Sequence, residues 1–124
     1  MAKTILFIDD SETVLNVARA CLEKAGYIFL GAKDLSELSA HLQGKSIDLV
    51  IVDEVMPELM GHDLVEYLAE AIKPHPPILL ASTMSPAKLQ ERAKACGATG
   101  AFSKGSNLAD LLITEVQKHL AQVS

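Results

Sequence analysis

The residues of this chain with the means to do chemistry are Asp9 and Asp10, Asp53, Ser82 with Thr83, and Lys104. Each follows a short apolar run, at residues 4–8, 47–52, 78–81 and 101–103. Runs of this length bounded by turn residues read as buried strands, so the polar groups after them collect at the carboxyl edge of one sheet. Carboxylates gathered in one crevice repel. At 4 Å and an effective dielectric of about 20, each close pair costs roughly 4 kcal/mol, so a proton or a cation has to intervene. Oxygen ligands without His or Cys point to a hard divalent ion, Mg²⁺ before Ca²⁺, and not to zinc. A carboxylate, a hard cation, a hydroxyl and an ammonium together suit phosphoryl transfer, with Asp53 as the candidate nucleophile. Taken singly, Asp10 or Ser11 would be a helix cap, Ser82 a turn former and Lys104 a solvated lysine; their joint placement points to a site. No glycine-rich phosphate loop follows the first run, so a nucleotide or flavin cradle is not expected there.

Alternating periods supply the elements that position these groups. The first strand, residues 4–8, leads to a helix with Val14, Ala18, Cys21, Leu22 and Ala25 on one face, ending at Gly26. Residues 27–31 form the second strand, and Asp34 with Glu37 resembles a capping box before Leu35, Leu38 and Leu42. The third strand, 47–52, is followed by a loop with Met56-Pro57 and Gly61, then a helix packed by Leu64, Leu68, Ala71 and Ile72 that closes at a proline cluster. After the fourth strand, 78–81, Ser85 caps a helix with Pro86 in its first turn and Leu89, Ala93 and Cys96 inward. A brief fifth strand, 101–103, precedes a helix burying Leu108, Leu111, Leu112, Val116 and Leu120. Repeated βα units with apolar strands require an α/β doubly wound parallel sheet with helices on both faces. A (β/α) barrel would need about 250 residues. Five strands suit the order 2-1-3-4-5, which opens a crevice at the carboxyl ends of the first and third strands.

At 124 residues the chain is read as a single domain, 1–124. A net charge of −5, 4% aromatics and no Trp argue against direct nucleic-acid binding. No apolar run approaches the roughly 20 residues of a membrane span, and no secretory signal precedes the first strand, so a cytoplasmic protein with no membrane partner is expected. Cys21 and Cys96 read as buried reduced thiols. His41, His62, His75 and His119 are scattered and read as surface histidines, while Met56, Met60 and Met84 pad the rim of the site. Lys88, Glu91, Arg92, Lys94, Glu115 and Lys118 read as solvated faces of the last two helices.

Phe7-Ile8-Asp9-Asp10-Ser11, Val52-Asp53 with Met56-Pro57 and Gly61, Pro77 through Ser82, and Gly97-Ala98 followed by Lys104 form a specific set. On these residues the chain resembles the receiver domain of two-component response regulators from Lys3 to Ala121. The resemblance implies a flavodoxin-like, three-layer α/β/α fold. It implies that Asp53 accepts a phosphoryl group from a histidine kinase, a phosphotransfer protein or a small phosphodonor. Asp9 and Asp10 would hold Mg²⁺ together with Asp53 and the Val55 carbonyl, Ser82 and Lys104 would bind the phosphoryl oxygens, and a downstream protein would read the change. Such a domain signals and is not an enzyme in the usual sense. The alternative is a pseudo-receiver that binds partners without phosphorylation, against which the retained acids and Lys104 argue. A haloacid-dehalogenase-like phosphatase carries an acid two residues after its first-strand nucleophile, where this chain has Ser11. Departures from the family pattern are Thr83 in place of a small residue, Ala101 in place of an aromatic, and Gly105 in place of a proline. Without that proline, the Lys104–Gly105 peptide is expected to be trans, the φ freedom of Gly105 to shape the turn, and residues 103–107 to be mobile.

Overall fold

The computed structural model describes residues 2–105 and 107–121. Five strands and five helices alternate: β1 (Thr4–Ile8), α1 (Glu12–Lys24), β2 (Ile28–Ala32), α2 (Leu35–Leu42), β3 (Leu49–Asp53), α3 (Gly61–Ala71), β4 (Ile78–Ser82), α4 (Pro86–Cys96), β5 (Gly100–Ser103) and α5 (Leu108–Ala121). The sheet order is β2-β1-β3-β4-β5, and every pairing is parallel. This is the doubly wound arrangement expected from the sequence. Side chains alternate across it with period two. Ile5, Phe7, Leu49, Ile51 and Leu79 face a layer with Leu15, Ala18, Leu22, Leu112 and Val116 of α1 and α5. Leu6, Ile8, Val50, Val52 and Leu80 face the other layer, with Leu38, Leu64, Leu68, Leu89 and Ala93 of α2, α3 and α4. Among the described residues, no helix is long and apolar enough to cross a membrane.

Several boundaries differ from the sequence reading. β2 starts at Ile28 because the Tyr27 N–H closes α1 on the Leu22 carbonyl at 3.0 Å, and the Ile28 N–H is the first to reach Lys3. β3 starts at Leu49, two residues late, since the Asp48 carboxylate accepts from the Thr4 N–H at 2.8 Å. Asp53 and Ser82 are the last residues of their strands and not the first of the loops. In α1 Leu15 joins Ala18 and Leu22 as a buried position, with Ala25 exposed; in α3 Val65 joins Leu64 and Leu68, with Ala71 exposed. Asp34 caps α2 by accepting from Glu37 N at 2.8 Å, but Glu37 reaches back to the Lys33 N–H and not to that of Asp34. Ser85 caps α4 without a side-chain hydrogen bond, although Pro86 does occupy the first turn. Cys21 and Cys96 are half-buried free thiols whose pKa values are pushed up by burial. His119 is not a surface residue: it is buried against Gly100, where a Cβ would come within 2.9 Å of Nε2.

Gly61 sets the approach of α3 to the end of β3. Its N–H donates to the Glu54 carbonyl at 2.8 Å, and a Cβ there would lie 2.3 Å from the Asp53 carbonyl oxygen and 2.6 Å from Glu54 Cα. Both obstacles are backbone, so neither yields by a rotamer change. Gly61→Ala is therefore expected to lower stability by about 3 kcal/mol, at the upper end for overpacking, as measured by urea unfolding. An unchanged unfolding midpoint would contradict the close approach.

Candidate functional site

Parallel pairing aligns the carboxyl ends of β1, β3, β4 and β5, with Ile8 beside Val52, Asp53 beside Ala81 and Ser82 beside Ser103. The side chains that follow therefore meet at one edge. Asp9 is fully buried and Asp53 nearly so, whereas Asp10 is exposed. One carboxylate oxygen from each of these three residues lies within 4.8 Å of the others. An all-oxygen set of this kind fits a hard divalent cation.

Lys104 enters from β5. Its N–H donates to the Ser82 carbonyl at 2.7 Å, which extends the ladder one residue past the strand. Its Nζ donates to Asp9 Oδ2 and to Asp53 Oδ1, each at 2.8 Å. Asp9 is held from its other side, where Oδ1 accepts the Ser11 N–H at 2.9 Å; Ser11 in turn caps α1 by accepting from Val14 N at 3.3 Å. The buried Ser82 lies at the same edge, but its Oγ accepts from the Met84 N–H at 3.2 Å. Thr83 is exposed, as is the Val55 side chain, and Met84 is half-buried. Met56 belongs to the core and not to the rim. The Lys104–Gly105 peptide is trans as expected, yet Gly105 does not adopt positive φ, so the turn is made without the left-handed region. Within residues 103–107, Ser106 lies outside the described residues.

Burial pushes the Asp53 carboxyl above its ordinary 3.8; the Lys104 hydrogen bond works against this, and the charges of Asp9 and Asp10 add to it. For Lys104, burial disfavours the ammonium, but its bonds to Asp53 and Asp9 outweigh that and raise its pKa. The ammonium is thus charged at neutral pH and sits between two carboxylates.

The sequence reading missed a second polar cluster, on the opposite face of β3. Glu54 is fully buried. Its Oε1 accepts from the His62 N–H and its Oε2 from His62 Nδ1, both at 2.8 Å, and Oε2 also pairs with the Arg92 guanidinium of α4. Arg92 is therefore only partly solvated, with its guanidinium paired to a buried carboxylate, and His62 is no free surface histidine. The available signal was the strand period, which puts Glu54 on the same side as the apolar Val50 and Val52.

The family model for the response regulator receiver domain matches residues 5–115. Response regulator GtcR of Aneurinibacillus migulanus is 32% identical over 73 residues, which are 59% of this chain and 30% of that protein. Regulatory protein VanRB of Enterococcus faecalis is 31% identical over 94 residues, 75% of this chain and 41% of that protein. The chain spans about half or less of the length of the curated relatives it matches. Among solved structures, the chemotaxis response regulator CheY4 of Vibrio cholerae superposes with a TM-score of 0.84 at 28% identity, covering 95% of this chain and 98% of that one.

The raised carboxyl of Asp53 fixes the sign of a pH effect. Between 3.8 and its folded value, the folded state holds a proton that the unfolded state has lost, so stability falls as pH rises through that window. Above the window the charged Asp53 opposes folding. The near-isosteric Asp53→Asn, without metal, is expected to unfold at higher urea than wild type at neutral pH, with the gain shrinking as pH drops below 3.8. Coincident urea curves at neutral pH would show that Lys104 fully compensates the charge.

Proposed function

The chain belongs to the response regulator receiver domain family of two-component signalling, and on that premise we propose that it takes a phosphoryl group on Asp53 and passes the change to a downstream protein. The observation that carries this reading is the Lys104 ammonium bridging Asp9 and Asp53 at 2.8 Å from each. It holds a nucleophilic carboxylate at the end of a strand with a positive charge already beside it. The donor is the phosphohistidine of a histidine kinase or phosphotransfer protein, or a small acyl phosphate. An Asp53 carboxylate oxygen forms a bond to phosphorus while the P–N or P–O bond on the far side breaks, and the departing imidazole or carboxylate keeps the electron pair. Lys104 and the Ser82 hydroxyl then donate to the phosphoryl oxygens. Asp9, Asp10, Asp53 and the Val55 carbonyl are the groups that would hold Mg²⁺, which supplies neutralisation of the developing phosphoryl charge.

As a unit spanning residues 1–124, the receiver works in the cytoplasm, where such kinases present their phosphohistidine. With a net charge of −5 it acts on a protein and does not itself bind nucleic acid. Against a pseudo-receiver stands the retention of the whole set, Asp9, Asp10, Asp53, Ser82 and Lys104, at one edge.

Incubation with acetyl phosphate and Mg²⁺ is expected to add one phosphate by intact mass, with none added when the metal is chelated. Asp53→Asn should add none under either condition, because an amide is a poor nucleophile. Phosphate on the variant at the wild-type level would reject Asp53 as acceptor. The phosphoryl group should also be long-lived, since the side chains of Val55 and Met84 offer nothing to orient an attacking water. Replacing Val55 with Asn and Met84 with Glu is expected to speed dephosphorylation about tenfold; equal decay rates would reject the apolar rim as the cause.

A further inference from the structure

Glu54 occupies a position that packing alone would give to an apolar residue. It follows Val52 on the α2–α3–α4 side of β3, in a layer with Leu64, Leu89 and Ala93. A carboxylate there is tolerated at acceptable cost only while its hydrogen-bond donors stay in place. Those donors come from two helices, the His62 N–H and Nδ1 from α3 and the guanidinium from α4. α3 cannot move away readily, because Gly61 is packed on the backbone of Asp53 and Glu54. α4 is seated by its buried side chains Leu89 and Ala93 and by Gln90 Nε2, which donates to the Ala101 carbonyl of β5 at 3.4 Å. Among the described residues, Arg92 to Glu54 is the one salt bridge from α4 to another element.

We infer that Glu54 is a positioning residue that, through Arg92, latches α4 in its unphosphorylated place. The inference rests on the phosphoacceptor reading of Asp53. Asp53 and Glu54 share a peptide unit but face opposite sides of the sheet, one toward Lys104 and the other toward α4. Lys104 is tied to the Ser82 carbonyl, and the chain runs from Ser82 into α4 within a few residues. When Lys104 and Ser82 turn to a phosphoryl group, the start of α4 is drawn with them, and Arg92 must stretch or leave Glu54. The pair is made best in the unphosphorylated arrangement and so opposes the shift. A contact that favours one state over the other biases the equilibrium, and by linkage it weakens phosphoryl binding by the same factor.

The test uses beryllofluoride with Mg²⁺ as the phosphoryl mimic, and hydrogen exchange without it. Arg92→Gln is expected to bind the mimic about fivefold more tightly than wild type. With neither metal nor mimic present, amide exchange across residues 86–92 should rise about tenfold relative to that of α1. Arg92→Lys should stay near wild type in both. The double variant Glu54→Gln, Arg92→Gln leaves no uncompensated carboxylate and should behave like Arg92→Gln, which separates loss of the latch from simple destabilisation. A merely structural role would leave the mimic's affinity unchanged or weaken it, and either result overturns the latch while leaving Asp53 as acceptor. Failure of wild type to bind the mimic at all would overturn the acceptor reading and this inference with it.

Discussion

Two carboxylates packed at the end of a parallel sheet would push the strands apart if nothing stood between them. Here the Lys104 ammonium does so, 2.8 Å from Asp9 and 2.8 Å from Asp53. The rest of the edge is arranged around that contact. β5 lies at the sheet's border, two strands from β3, and its short pairing with β4 brings Lys104 near enough for its long side chain to span the distance. The start of α1 holds Asp9 from behind through the Ser11 N–H. α3 is pressed against the backbone after Asp53 at Gly61, so the end of β3 has little freedom to retreat. A charge pair of this kind, buried on the carboxylate side and mostly covered on the lysine side, contributes less to net stability than to fixing which groups face each other.

The sheet order, the helix count and the residues at the carboxyl edge could be read from the sequence because period and position carry that information directly. Apolar strands cannot hide polar residues except at their ends, so Asp9, Asp53, Ser82 and Lys104 stood out. Strand ends were read less well. Whether Asp53 is the last residue of a strand or the first of a loop depends on the hydrogen bond from the Glu54 N–H to the Ala81 carbonyl, which composition does not encode. The larger omission was Glu54 with its partners. Charged residues on a helix, such as Arg92, nearly always face water, and a carboxylate after a strand looks like part of a turn. Only the pairing of a strand face with two helices, contributed by residues 54, 62 and 92, makes the cluster intelligible. His119 escaped for a similar reason, since its burial depends on the missing side chain of Gly100 in another element.

The two faces of β3 thus carry different kinds of polar chemistry. On one side is the carboxylate edge, open to small ligands at the exposed Asp10. On the other is an ion pair between the fully buried Glu54 and the partly exposed Arg92 of α4. A single peptide unit separates them, which makes the end of β3 a place where events at the surface and the seating of a helix are mechanically close.

The bond from Lys104 to Asp9 joins residues 95 positions apart in a chain of 124. Closing a contact of such span carries more loop entropy than closing shorter-range pairings. A chain still emerging from the ribosome, or one whose last strand has come loose, has Asp53 without its ammonium. The carboxylate edge is therefore complete only when the fifth strand is in the sheet: without it, Asp9 and Asp53 lose the ammonium between them.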